Sequence, residues 1–399
     1  MNWRSAEASF RESATLILAG VALVCAVRAQ DPEPSSRKDR PRLEVDLQKL
    51  GYDTARSTWR LPKFVDFTDA SHLAVAWVTL DDPTLADKAG PLTARPAHLH
   101  AIVLDATTGQ KVGGQAWSTP STPVRFLGGR DGKLLTCTGN VLRLFSPNFE
   151  VLREQNLPND RGCLGQRPGW GISPSRRSLL LSFFLGRGQG NQNTLLDAET
   201  FSFMARWTEN PLIENMSDHW LLASCGPKRE ACIRGIDKPW QPFLPAGIDK
   251  DMNNAWLYST RFVNDDTLVV GQRNKMLVVA ADGTQLFHVE LGKKRSVEGA
   301  VTSVGGERFA VIEDKERGLT SQPLDISAFP SNDRAVVYSI PDHRAIYSVK
   351  VKGTSPWPPW EAHTNQLALS PDGTLLAVIT DGILRIYRLP ESPLAPRPE

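Results

Sequence analysis

From Trp59 onward the chain alternates short apolar runs with turn residues, and apolar positions hardly ever recur at helical spacing. The clearest unit closes the chain. Leu367-Ala368-Leu369 leads into Ser370-Pro371-Asp372-Gly373, then Leu375-Leu376-Ala377-Val378-Ile379, Asp381-Gly382 and Ile383-Leu384-Arg385-Ile386-Tyr387. Proline fixes φ and glycine accepts positive φ, so the two turns predict three antiparallel strands in succession. The same grammar recurs upstream. Arg261-Phe262-Val263, Leu268-Val269-Val270 and Met276 to Val279 lead through Asp282-Gly283 into Leu286 to Val289. Further units open at Gly171-Ile172-Ser173-Pro174 and near Val124, and less regular ones near Phe64, Met216 and Val301.

With Phe67, Phe126, Ile172, Ser217, Phe262, Thr302 and Leu369 as first-strand markers, successive gaps are 59, 46, 45, 45, 40 and 67 residues. A period of about 40 to 50 residues is that of propeller blades. The pattern therefore predicts an all-β fold: a seven-bladed β-propeller of four-stranded antiparallel blades. The last unit supplies only three strands. Leu43-Glu44-Val45-Asp46-Leu47 alternates apolar and polar, so it is expected to pair beside the Ile383 to Tyr387 strand and close the ring.

Residues 363–389, with the Ser-Pro-Asp-Gly turn, the Leu-Ala strand, the Asp-Gly turn and the Leu-Arg-Ile-Tyr strand in order, resemble the last repeat of the WD40-like propeller superfamily. Ala362 precedes His363 where the family has glycine, and Tyr387-Arg388 stands where Trp-Asp is usual. The resemblance covers one blade and implies a fold, not a function.

Ahead of the blades the pattern changes. Residues 14–27 (ATLILAGVALVCAV) are almost wholly apolar, follow Arg4 and Arg11, and lead to Val27-Arg28-Ala29, a small-x-Ala site with cleavage expected before Gln30. The run is shorter than the roughly 20 residues of a membrane span, so residues 1–29 read as a signal peptide, with a retained anchor as the alternative. Residues 30–42 form a polar leader, 43–390 the propeller and 391–399 a Pro-rich tail. The chain is thus expected to be exported, periplasmic or extracellular, with no stable membrane insertion once the signal is removed. A net charge of +2 with both signs interspersed offers no field for nucleic acid.

Export gives the cysteines meaning. Removing the signal leaves Cys137, Cys163, Cys225 and Cys232, an even number. Cys225 and Cys232 bracket a turn-like GPKREA stretch and are expected to bridge a hairpin tip; Cys137 and Cys163 would then pair by elimination. Four free buried thiols are the alternative.

Catalytic signatures are missing from the sequence: it has no G-x-S-x-G, H-E-x-x-H, P-loop or EF-hand pattern. Gly186-Arg187-Gly188-Gln189-Gly190 joins two strands and opens no helix, so it reads as a hairpin tip. His98 and His100 share one face of a strand and could meet a metal, but no third ligand can be named and no metal or cofactor is assigned. Asp66, Asp69, Asp81 and Asp82 receive no role. Trp77, Trp117, Trp207 and Trp220 fall in strands and read as packing between blades.

Loop lengths carry the functional reading. Residues 81–97, 314–333 and 352–363 are the longest irregular segments; each joins a second strand to a third or one blade to the next, connections that emerge on one face. Blades 6, 7 and 1 become neighbours on closure, so these segments form one raised lip, with Trp357 and Trp360 in a proline-stiffened loop as aromatic anchors. The chain therefore reads as a monomeric, non-catalytic binding or scaffold module for a protein or glycan. The alternative is a propeller hydrolase, lactonase-like or glycan-cleaving, with a central-channel site; a third reading is an envelope assembly factor.

Overall fold

A computed structural model of the chain describes residues 40–52, 63–80, 97–119, 124–138, 140–157, 170–186, 190–209, 212–225, 230–248, 260–272, 274–292, 295–315, 333–351, 367–380 and 382–391. They form seven four-stranded antiparallel sheets. The first strand of the chain, β1 (Leu43–Asp46), belongs to the last sheet. Blade 1 holds β2 (Lys63–Phe67), β3 (His72–Leu80), β4 (Ala97–Asp105) and β5 (Lys111–Thr119), and blade 2 holds β6 (Val124–Gly128), β7 (Leu134–Thr138), β8 (Val141–Phe145) and β9 (Val151–Asn156). Blade 3 holds β10 (Trp170–Ile172), β11 (Ser178–Gly186), β12 (Gly190–Asp197) and β13 (Phe203–Glu209), and blade 4 β14 (Leu212–Met216), β15 (Trp220–Cys225), β16 (Glu230–Gly235) and β17 (Gln241–Pro242). Blade 5 holds β18 (Thr260–Phe262), β19 (Thr267–Gln272), β20 (Lys275–Ala280) and β21 (Gln285–Glu290), and blade 6 β22 (Arg295–Thr302), β23 (Arg308–Lys315), β24 (Asp333–Ser339) and β25 (Arg344–Val351). Blade 7 has β26 (Leu367–Leu369), β27 (Leu375–Thr380) and β28 (Ile383–Arg388), with β1 as its fourth strand.

Side chains of the central strands alternate between two seams, which explains why these strands read as continuous apolar runs. Leu375, Ala377 and Ile379 of β27 pack with Val65, Val75 and Trp77 of blade 1, whereas Leu376 and Val378 pack with Ala310, Ile312 and Val337 of blade 6. The buried apolar residues fall into seven such clusters, one for each seam of a closed ring. A linear array of seven sheets would leave one seam empty.

Closure occurs as the alternation in residues 43–47 predicts. β1 lies antiparallel to β28, with Leu43 opposite Ile386 and Val45 opposite Leu384. Glu44 accepts from Arg385 Nε at 3.0 Å across the pair. Gly109, at φ +73°, lets the last turn of blade 1 settle on this strand, since a Cβ there would lie 2.7 Å from the Val45 side chain.

One first-strand marker and one unit start need correction. Ser217 is the first turn residue after β14, and the start placed near Val301 is the far end of β22. Both displacements arise because Glu214-Asn215 and Arg295-Ser296 put polar residues into the strands and so break their apolar runs.

One feature of the outer strands escaped the pattern altogether. In blades 1, 2, 3, 5 and 6 the strand carries a β-bulge near its start, because the pairing skips Val112, Leu152, Met204, Leu286 and Ile346. Four of these side chains stand exposed, from 37 % at Leu286 to 57 % at Val112. A bulge kinks and twists an edge strand, so each outer edge is spoiled as a template for pairing with another sheet.

Candidate functional site

Because the strands alternate in direction, first-to-second and third-to-fourth turns emerge on one face of the ring, the turn face. Second-to-third and blade-to-blade connections emerge on the other, the loop face. The turn face is tightly built. Ser173, Ser217, Ser303 and Ser370 each follow a first strand and are at most 4 % exposed. Their Oγ atoms accept backbone N–H groups from across the turn: Ser178 at 3.1 Å, Trp220 at 3.0 Å, Arg308 at 3.4 Å and Leu375 at 2.9 Å. A buried turn must satisfy these donors, and leaving one unpaired costs about 1 to 3 kcal/mol.

Neighbouring turns are also tied to each other. Ser178 Oγ donates to Asp218 at 2.7 Å, Ser217 Oγ to the Asp265 carbonyl at 2.8 Å, and Arg308 to the Gly373 carbonyl at 2.7 Å. One link skips a blade. Arg176, in the blade 3 turn at φ 63°, donates to Asp66 of blade 1 at 2.7 Å and to the Gly129 carbonyl of blade 2 at 3.1 Å. The carboxylate fills the place where a Cβ on Gly128 would stand, so only glycine admits this pair. Burial pushes the Asp66 carboxyl above the ordinary carboxylate range, with Arg176 pulling the other way. Asp69, from the same acidic run, caps its own turn by accepting the Ser71 and His72 N–H groups.

The loop face carries the roots of the long connections. β3 ends at Leu80 and β4 begins at Ala97; β23 ends at Lys315 and β24 begins at Asp333; β25 ends at Val351 and β26 begins at Leu367. The blade 6 insertion is therefore shorter than the sequence suggests, 316–332, because Asp314, Lys315 and Asp333 are strand residues. Trp357 and Trp360 lie outside the described residues, as do Cys163 and residues 1–39 and 392–399. Among the described residues no helix is long and apolar enough to cross a membrane.

His98 and His100 stand beside the blade 1 root. His100 stacks on Trp77 at 5.3 Å and pairs through Nε2 with Thr79 Oγ1 at 2.9 Å, while His98 Nδ1 meets Ser118 Oγ at 3.3 Å. Burial, and then the charge of His98, hold His100 below the ordinary histidine pKa, so its ring is neutral near pH 7. Among the described residues no three metal-ligating side chains converge, here or elsewhere.

Glu214 is the extra residue of a bulge in β14 and attracts Arg261 of β18, whose guanidinium also donates to the Thr260 carbonyl at 2.7 Å. In blade 6, Glu313 accepts from Tyr338 at 2.9 Å and faces Arg295 at 3.8 Å. These carboxylates are each engaged with a cation or a hydroxyl. No local motif announces the groupings, because their members come from separate strands of one blade or of two consecutive blades, 18 to 47 residues apart. The strand tryptophans sit as expected between blades: Trp77 at the 7–1 seam, Trp117 at 1–2, Trp207 at 3–4 and Trp220 at 4–5. Cys225 and Cys232 are bridged across the β15–β16 hairpin, with Cα atoms 5.9 Å apart. Cys137 is buried in β7 at the 2–3 seam.

No protein-family model matches the chain, and no curated protein matches it. Among solved structures, a chain of the mitotic checkpoint complex is similar at 14 % identity, covering 92 % of this chain and 100 % of its own, with TM-score 0.47. The C-terminal WD40 domain of Sif2 is similar at 12 % identity over 83 % of this chain and 99 % of its own, TM-score 0.42, and the Dos1 propeller at 12 % over 88 % and 95 %, TM-score 0.46. The architecture rests on the strand pairing and the seven seams rather than on these similarities. The closed ring of seven four-stranded blades, with β26, β27 and β28 paired in succession, is a seven-bladed β-propeller.

Proposed function

We propose that the chain is an exported, monomeric binding or scaffold propeller that engages a protein or glycan partner through the loop face of blades 6, 7 and 1. One observation carries this reading. Connections of 16, 17 and 15 residues root on the adjacent blades 1, 6 and 7 on one face, which also carries the 17-residue link from blade 4 to blade 5, while the opposite face consists of short, internally bonded turns. Rigid blades that hold long loops on one side are the arrangement by which scaffolds present binding residues. Trp357 and Trp360 are the anchors in this reading, since aromatic side chains on a stiffened loop bury large area at small entropic cost.

The test compares the mature chain with a W357A/W360A variant and with one lacking residues 316–332, on a defined glycan array and by cross-linking to envelope proteins. The expected result is a partner signal that falls about tenfold or more in both variants, as for loss of an aromatic hot spot. Undiminished binding by both variants would refute the lip.

A further inference from the structure

Blade 4 differs from its neighbours in how its outer edge is held. β17 has two residues and pairs only through Pro242 with Cys232 and Gln241 with Ile233. Proline donates no hydrogen bond, so this ladder is minimal. Past it, the Phe243 N–H bonds to the Ala231 carbonyl at 2.9 Å, and the chain crosses to blade 5, where the Ala246 N–H reaches the Gly283 carbonyl at 3.1 Å. The outer edge of blade 4 and the start of its link to blade 5 thus rest on one short stretch of β16, residues 231–233.

Beyond the β15–β16 ladder and the packing of Ala231, Cys232 and Ile233 in the two seams, two further devices hold that stretch. The Cys225–Cys232 bridge ties it to β15, and Cys232 is itself the residue that faces Pro242. Two residues on, the Arg234 guanidinium lies 5.0 Å from the ring centre of Trp207 in blade 3 and 4.6 Å from that of Trp240, which immediately precedes β17. Cys225 is half-buried whereas Cys232 is 3 % exposed, so the bridge has one approachable sulfur.

We propose that the Cys225–Cys232 bridge is a redox-sensitive latch on the outer edge of blade 4. A thiolate of a dithiol reductant attacks the Cys225 sulfur and releases Cys232 as a thiolate, which takes up a proton; the reductant's second thiol then displaces Cys225 as its own disulfide forms. Two electrons pass to the protein, and two protein thiols result. Residues 231–235, β17 and the Phe243 link then loosen together, while the other six blades stay closed through their own seams. The inference does not depend on the proposed function.

Hydrogen exchange of the folded mature chain, with and without a dithiol, reads the latch directly. On reduction, amides in 230–243 are expected to exchange at least about tenfold faster, with blades 1, 5, 6 and 7 unchanged. The C225S/C232S variant, kept oxidised so that Cys137 and Cys163 are undisturbed, is expected to show the same local increase without reductant. Unchanged exchange in 230–243 of the reduced wild type, or acceleration spread over all blades, would overturn the proposal.

Discussion

Asp66 shows how a single buried group ties distant parts of the ring and titrates because of it. Its carboxylate and the Arg176 guanidinium are each only 13 % exposed, and they join blades 1 and 3 past the bare backbone of Gly128. Such pairs set Coulomb attraction against loss of hydration, and here the raised carboxyl pKa says that burial outweighs the partner. The sign follows. Folding raises the pKa above its ordinary 3.8, so the group's contribution to stability is fullest below that value and is lost as pH climbs through the raised one. Thermal midpoints of the wild type and an Asp66→Asn variant, compared from roughly pH 4 to pH 7, are expected to show a wild-type advantage that grows on acidification. An advantage that shrinks toward low pH would mean that the Arg176 pair dominates. The turn aspartates have the opposite sense: at Asp105 the Thr108 and then the Thr107 N–H groups hold the carboxyl below the ordinary range, so its contribution fades as acid protonates it.

Among the elements, the outer strands are the most exposed and the least regular. β9 is exposed along almost its whole length, and its Val151 and Leu152 are 53 % and 47 % exposed. An edge with apolar side chains and open backbone groups invites pairing with another molecule, and the bulge at Leu152 spoils that template. Deleting Leu152 restores a continuous ladder and is expected to convert a monodisperse protein into one that self-associates, read by light scattering at matched concentration. A folded deletion variant that stays monodisperse would show that the bulge does not protect the edge. First strands, turns and the Cys225–Cys232 bridge were legible in the chain because each is local: a Pro-Asp-Gly turn, an apolar run, two cysteines around a short loop. The bulges were not, since Val112 or Met204 looks like any strand residue until its partner strand is known. The Asp66–Arg176 link, 110 residues long in sequence, is likewise visible only once three blades stand side by side.

For the molecule as a whole, the seven seams matter more than any one blade, and the 7–1 seam is the one the chain must return to make. It is built from blade 7, including β1, with Leu47 and Tyr52, on one side and from β2, β3 and β4 of blade 1 on the other, so closing the ring brings the last blade back against the first. Residues 43–47 reveal this only through their alternation; nothing local says that the pairing partner lies more than 300 residues away. Trp357 and Trp360 are singled out by the reverse route, as residues that no strand pattern requires. The most direct measurement of the closed ring is a cross-link between Glu44 and Arg385, which face each other in the β1–β28 pair. In an E44C/R385C variant of the chain, mild oxidation is expected to form an intramolecular disulfide mapped by peptide mass, and to raise the thermal midpoint because the bond closes nearly the whole chain. Engineered thiols that stay free, or that bridge only between molecules, would contradict the ring.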